Sequence, residues 1–260
     1  MLSGCPFCHH CQSSLYREKQ QLRDGGFCNI LSCNECHLLY PQMRMDEKEK
    51  KQYMKADVLY SPDSLLFHDP RVELSADFFA VTFLNDVEKQ GRSLDIGTWS
   101  GTYTHIFKAL GYDSYGLELQ KQAVDFARSK GLQVLPGSFP DRIPQKLLRH
   151  KFRLIAMMEM IYYLHDLKKS LLKVKTMLED NGVLVIKAHQ GSSKFYDCNQ
   201  SCFNRYGDYV QGIPTLRSLQ YCLEKSGFKV IKFTGATEDN LAWTGTIESA
   251  DRLWMLAGKA

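Results

Sequence analysis

The chain has no stretch approaching ~18 uninterrupted apolar residues, which excludes a single-helix membrane anchor of the usual length. Its first residues, MLSGCPFCHH, lack a basic segment followed by an apolar one, so a secretory signal is not expected. Charge of one sign is never concentrated. The 33 basic and 29 acidic residues give a formal net charge of +4, too even to demand a nucleic-acid or anionic-membrane partner. Internal repeats and low-complexity segments are absent, which removes solenoid and linker-like architectures. A soluble cytoplasmic protein without disulfides is the expectation, and nothing in the sequence sets its oligomeric state.

Present instead is enough apolar material, 44% over 260 residues, for one sizeable core. From Ser93 onward short apolar runs alternate with helical patterns, as in a parallel sheet built from βαβ units. Strands are expected near Ser93–Ile96, Ser114–Leu119, Gln133–Leu135, Phe152–Met157, Val183–Ala188, Lys229–Phe233 and Arg252–Leu256. Helices are expected near Thr104–Leu110, Lys121–Ser129, Leu167–Leu178 and Thr215–Ser226, the last two ended by Asn181-Gly182 and Ser226-Gly227. The charged run Asp46–Lys55 reads as the start of a helical connector reaching about Lys89. Gln190–Pro214 has no period and follows a strand end, where open α/β sheets bind ligands, so it is a candidate acceptor lid.

Two cysteine pairs stand out. Of nine cysteines, six lie within the first 36 residues. Cys5-Pro6-Phe7-Cys8 and Cys33-Asn34-Glu35-Cys36 form two C-x-x-C knuckles 24 residues apart, each able to give two thiolates to one tetrahedral ion. Zinc held by Cys5, Cys8, Cys33 and Cys36 would fold a segment that has no apolar core of its own. Cys11 and Cys28 extend both knuckles toward iron–sulfur spacings, which leaves a cluster as the alternative, with unmetallated buried thiols a third.

After the first expected strand comes Leu94-Asp95-Ile96-Gly97-Thr98-Trp99-Ser100-Gly101, then a helical pattern. Gly97 and Gly101 permit a sharp turn and a close approach to a ligand. About twenty positions on, Glu118 ends the next strand, where a carboxylate can accept from two ribose hydroxyls. A dinucleotide would want glycine at position 99 and no acid in the turn. Trp99 and Asp95 therefore favour a nucleoside cofactor that is cationic and lacks phosphate, S-adenosylmethionine, over NAD.

LDIGTWSG…YGLEL resembles motif I and the acidic second-strand motif of class I S-adenosylmethionine-dependent methyltransferases. EMIYYLHDLKKSLLKVKTMLEDNGVLVI is similar to their fourth-to-fifth strand passage, and LEKSGFKVIKF with RLWMLAGK to their last helix and closing hairpin. CPFCH…LSCNECHLLYPQ is similar to a zinc ribbon found before this domain in part of the family. The resemblance implies an α/β fold: a Rossmann-like three-layer sandwich with a seven-stranded, mostly parallel sheet whose final strand is reversed. It divides the chain into a ribbon (1–41), a connector (42–91) and a catalytic domain (92–260). It places Asp95 and Gly97 near the methionyl end of the cofactor, Glu118 at the ribose and Ser138 and Phe139 at the adenine, with Thr98, Gly101, Leu119 and Glu159 as further cofactor-binding residues. The family usually has glycine at 99, an acid at 138 and Glu-His at Tyr162-Tyr163, so Trp99 should point away from the cofactor or stack on it.

Methyl transfer from a sulfonium needs positioning more than acid catalysis, because the leaving group departs neutral. A base is needed only for some acceptors, and Glu159, Tyr163 and His189 are the candidates at the strand ends facing the acceptor. The expected acceptor is a small molecule. With eight Lys/Arg against seven Asp/Glu in residues 1–60, a nucleic-acid acceptor is disfavoured, while RNA or protein methylation and a non-catalytic binding module remain alternatives.

Overall fold

The computed structural model describes residues 4–21, 26–43, 83–191, 210–236 and 250–260. At the N-terminal end, β1 (Ser13–Gln21), β2 (Phe27–Cys33) and β3 (Leu39–Pro41) form an antiparallel sheet in the order β1-β2-β3. The remainder alternates strand and helix: β4 (Arg92–Ile96), α1 (Thr102–Ala109), β5 (Asp113–Glu118), α2 (Lys121–Ser129), β6 (Gln133–Pro136), the short α3 (Gln145–Leu148) and β7 (Phe152–Met158). A 3-10 turn at Ile161–Tyr163 leads to α4 (Leu167–Met177) and β8 (Leu178–His189), then α5 (Leu216–Lys225), β9 (Phe228–Ala236) and β10 (Arg252–Lys259).

Seven strands form one sheet in the order β6-β5-β4-β7-β8-β10-β9. β4 runs parallel to β5 and β7, β5 to β6 and β7 to β8, whereas β10 is antiparallel to both β8 and β9. The sheet is the expected Rossmann-like one, with its final strand reversed. Parallel strands covered by helices on both faces must be apolar throughout. β7 obeys this: Leu154 to Met157 are all at most 0% exposed. The strand order turns back between β4 and β7, so the crevice beyond their carboxyl ends is the place for a ligand.

Two expectations need correction. Asn181-Gly182 does not end α4, which stops four residues earlier: Leu178 is already extended and pairs with Phe152. Gly182 lies at a register shift, where a Cβ would meet the Phe152 carbonyl oxygen at 2.7 Å, so the dipeptide serves a strand irregularity and not a helix cap. Helix does not extend to Lys89: of residues 83–89 only Phe83 is helical, and Phe83 and Leu84 are buried beside the sheet, with Phe83 5.7 Å from the ring of Trp254. Residues 46–82 of that connector, and 192–209 of the candidate lid, lie outside the described residues. Ser226-Gly227 does cap α5, Gly227 taking the left-handed conformation at φ +76.

The antiparallel sheet is docked on the larger one. Leu39 and Ile213 exchange backbone hydrogen bonds of 3.3 and 2.7 Å, and Tyr221 on α5 donates to Glu35 at 2.5 Å. Phe7, Leu38 and Leu39 belong to the same buried cluster as Ile161, Leu164, Leu167 and Ile213.

Candidate active site and metal centre

The turn after β4 is shaped by glycine where side chains would collide. Gly97 has φ +75 and lies against Met160, and Gly101 has φ +90 with its Cβ position only 2.5 Å from Leu132 Cδ1. Trp99 lies between them and is also left-handed, at φ +51, a conformation that bulky residues rarely adopt. This conformation turns its backbone N–H onto Glu118 Oε2 at 2.9 Å. Glu118 Oε1 accepts from the Gln120 N–H at 2.8 Å, so the carboxylate is fixed at the crevice rather than turned to solvent, and it is 6% exposed. Burial raises its pKa above the ordinary carboxylate value, against the pull of those amides.

Asp95, next to the last residue of β4, is almost fully buried. Thr104 Oγ1 donates weakly to its Oδ2 at 3.4 Å, and Thr98 and Thr104 hydroxyls bond each other at 2.7 Å. Its Oδ1 has no hydrogen-bond partner among the described residues. Burial pushes Asp95 up to about 7, the threonine hydroxyls opposing and Glu118 assisting the shift. An orphaned buried carboxylate oxygen beside a second carboxylate is what a cationic hydrogen-bond donor would satisfy, and what a phosphate would not. Leu119 is exposed, Phe139 packs against the core, and Ser138 Oγ accepts from Arg142 Nε at 3.2 Å. Asp95, Gly97, Thr98, Gly101 and Glu118 thus belong to one turn and the adjoining strand end.

The acceptor-side candidates meet at the ends of β7 and β8. Glu159 is left-handed at φ +57, and Tyr162 donates to its Oε2 at 2.5 Å. His189 Nε2 lies 3.4 Å from Oε2, and Lys187 Nζ 3.7 Å from Oε1. Tyr163 packs edge-on against Tyr162, with ring centroids 4.8 Å apart. Burial pushes the Glu159 pKa up, but Arg252, His189, Lys187 and the Tyr162 hydroxyl together hold it well below the usual carboxylate range. Two left-handed non-glycine residues, Trp99 and Glu159, at the ends of the strands that flank the crevice fit the tendency of strain to gather at functional sites. Arg252, Asp251 and Lys187 were not among the residues expected here; a signal existed only in Arg252, a cation heading the otherwise apolar RLWMLAG.

The two knuckles come together in the N-terminal ribbon. Their four sulfurs lie within 4.8 Å of one another, Cys5 3.5 Å from Cys36 and Cys8 3.5 Å from Cys33. Four Zn–S bonds of about 2.3 Å in a tetrahedron set sulfurs about 3.8 Å apart, so the donor set fits one zinc ion. The knuckles repeat each other: Cys5 N–H bonds to His10 O and His9 N–H to Cys5 O, as Cys33 N–H does to Leu38 O and His37 N–H to Cys33 O. His9 and His37 are correspondingly both left-handed. The Cys36 thiol lowers the pKa of Cys5, while burial raises that of Cys8. Exposed Cys11 and buried Cys28 stand outside the group of four, and His9 faces Asp166 at 3.4 Å instead.

Comparison with known proteins agrees with this crevice. A methyltransferase-domain family matches residues 71–232. Sequence comparison finds no match among curated proteins. Among solved structures, an S-adenosylmethionine-dependent methyltransferase from Clostridium acetobutylicum aligns with TM-score 0.56 at 14% identity, over 81% of this chain and 96% of its own. One from Archaeoglobus fulgidus gives 0.56 at 17%, over 72% and 94%. The glycopeptide N-methyltransferase MtfA in complex with S-adenosyl-L-methionine gives 0.55 at 16%, over 75% and 96%. These likenesses show the fold, and the family match, spanning more than half of the sequence, shows that the chain belongs to the methyltransferase-domain family.

Proposed function

We propose that the protein transfers a methyl group from S-adenosylmethionine to a small-molecule acceptor, with a structural zinc ion held by Cys5, Cys8, Cys33 and Cys36. The observation that carries the cofactor reading is the pair of buried carboxylates, Asp95 and Glu118, at the ends of neighbouring strands. When bound, the cofactor supplies an electrophilic methyl group on a sulfonium that leaves as a neutral thioether. Asp95 Oδ1 receives the cationic end, the Gly97–Gly101 turn lets the backbone come close, and Glu118 accepts from the ribose hydroxyls. Ser138 and Phe139 border the adenine, Leu119 lines the cofactor beside Glu118, and Glu159, Tyr163 and His189 stand at the strand ends on the acceptor side. Reaction then depends on holding the acceptor's lone pair in line with the methyl carbon.

Docking of residues 1–41 supports a small acceptor. The ribbon's inner face is committed to the common core, through Phe7, Leu38 and Leu39, and its charge is balanced, so it offers little for gripping a polyanion. We divide the chain accordingly into a ribbon (1–41), a connector (42–91) and a catalytic domain (92–260). Calorimetric titration with S-adenosylmethionine, S-adenosylhomocysteine and NAD tests the cofactor. Binding of the two sulfur compounds is expected; binding of NAD alone would overturn the proposal, and no binding would leave a non-catalytic module. Labelled-methyl transfer to metabolite extracts but not to RNA or protein is expected for the acceptor.

A further inference from the structure

Arg252 opens the reversed strand β10 directly across from His189, the last residue of β8. Its side chain, 7% exposed, reaches Glu159, His189 and Asp251 among the described residues. Nε donates to Glu159 Oε1 at 2.9 Å, and Nη1 meets His189 Nδ1 at 2.8 Å and Asp251 Oδ2 at 3.0 Å. A guanidinium has only donors and keeps its charge at any pH a protein survives. The nitrogen facing it must therefore present a lone pair. For His189 this leaves the ring proton on Nε2, the nitrogen that looks toward Glu159 Oε2. An imidazolium here would set one N–H against another inside a buried cluster.

Exposure separates the two candidates further. His189 is 0% exposed, whereas the Glu159 side chain is 26% exposed. An acceptor entering the crevice can touch the carboxylate but not the imidazole.

We propose that Arg252 is the positioning residue of the acceptor site: it locks His189 as the neutral Nε2–H tautomer behind Glu159, so that Glu159 and not His189 meets the acceptor. This rests on the methyltransferase reading and narrows it. Both of Arg252's ends serve the same carboxylate, one by a direct ionic hydrogen bond and one by fixing the imidazole with its N–H dipole turned toward it. A carboxylate kept charged is a weak base but a good partner for an N–H or O–H. The acceptor class is accordingly an amine or a hydroxyl, and an acceptor carrying carboxylate or phosphate at the reacting end would be repelled. Glu159 balances the positive charge that grows on the acceptor heteroatom as it gains the methyl carbon, and the proton that atom loses passes to solvent.

Among the described residues, Glu159 and Tyr162 from the β7 end and Arg252 from β10 face His189, while Asp251 joins the group through Arg252 and Lys187 through Glu159, Lys187 also facing Tyr103 of α1. Nitrogen-15 spectra of the histidine rings of the whole protein, with the His189 signals assigned by their loss in His189→Gln, test the tautomer. Wild type is expected to show a lone-pair-bearing Nδ1 and a protonated Nε2, unchanged from about pH 5.5 to about pH 8.5 where a solvent histidine would titrate. Glu159→Gln should keep that pattern because Arg252 remains; Arg252→Met should lose it, giving mixed tautomers or titration. A wild-type His189 that is doubly protonated near neutrality, or protonated on Nδ1, overturns the proposal even if Arg252→Met fails to fold. S-adenosylhomocysteine affinity measured on the same wild-type sample is the separate check on the methyltransferase reading: absence of binding alongside the expected tautomer would remove that reading and leave the arginine lock in place.

Discussion

The ribbon and the large sheet are held together by different means. In the sheet, buried residues from every strand pack between helices, with Trp254, Phe152 and Leu154 all fully enclosed. In the ribbon, Leu15 and Tyr16 on β1 and Phe27 at the start of β2 lie exposed, and Phe7, Leu38 and Leu39 are buried in the cluster that the ribbon shares with the large sheet. One region has its own core. The other gathers four thiols and leans on its neighbour, beside the strand ends that carry Glu159: Ile213 pairs with Leu39, and the Gln211 N–H bonds to the carbonyl oxygen of Tyr162, whose hydroxyl holds Glu159.

The widest separation between the regions should come from removing the metal. Cys33→Ser with Cys36→Ser, or chelation, is expected to cost the ribbon its folding energy, on the order of 10 kcal/mol. Hydrogen exchange should then rise throughout β1 to β3 while the amides of β4, β5 and β7 stay protected; uniform loss of protection would mean that the two regions are one cooperative unit. A smaller effect is expected from Phe7→Ala, which empties the seam between them without touching the thiols. Thermal or denaturant unfolding should report about 3–5 kcal/mol of destabilisation, with zinc content unchanged.

Two predictions concern the sheet alone. Glu118→Ala should weaken S-adenosylhomocysteine binding by about 1–3 kcal/mol in calorimetry, and a variant that binds as tightly as wild type would take Glu118 out of the site. The smallest effect is a pH dependence. Asp95 is raised by burial to about 7, so the folded protein holds that proton more tightly than the unfolded chain. Its ionisation therefore costs stability as pH rises from about 4 to about 7, and a cationic ligand that favours the ionised form offsets the cost. S-adenosylmethionine affinity should rise by up to about tenfold per pH unit below the Asp95 pKa and level off above it, with Asp95→Asn flat across the range.

Local pattern made most of the fold legible. α2 spans Lys121–Ser129 as its periodicity predicts, and Thr215 caps α5 through the Ser218 N–H at the expected boundary. The cofactor turn was legible because its glycines and Glu118 are close in sequence and their spacing is dictated by a strand, a turn and a helix. Asn181-Gly182 misled because glycine at a strand irregularity and glycine at a helix end look alike in one dimension. The ribbon's docked face was hidden because its partners, such as Ile213, lie far along the chain.

What the sequence determined by itself is the alternation of strands and helices, the glycine turn with its acidic partner, and the two cysteine knuckles, since each depends on residues within a few positions of one another. Only the tertiary structure decided that Glu159, His189 and Arg252 form one ionic group, because they are 93 and 63 residues apart in pairs with Arg252 and meet only when β10 inserts backwards beside β8. Burial at that junction strips water from the charges, and the protonation of His189 then follows from which neighbour the fold has placed against it.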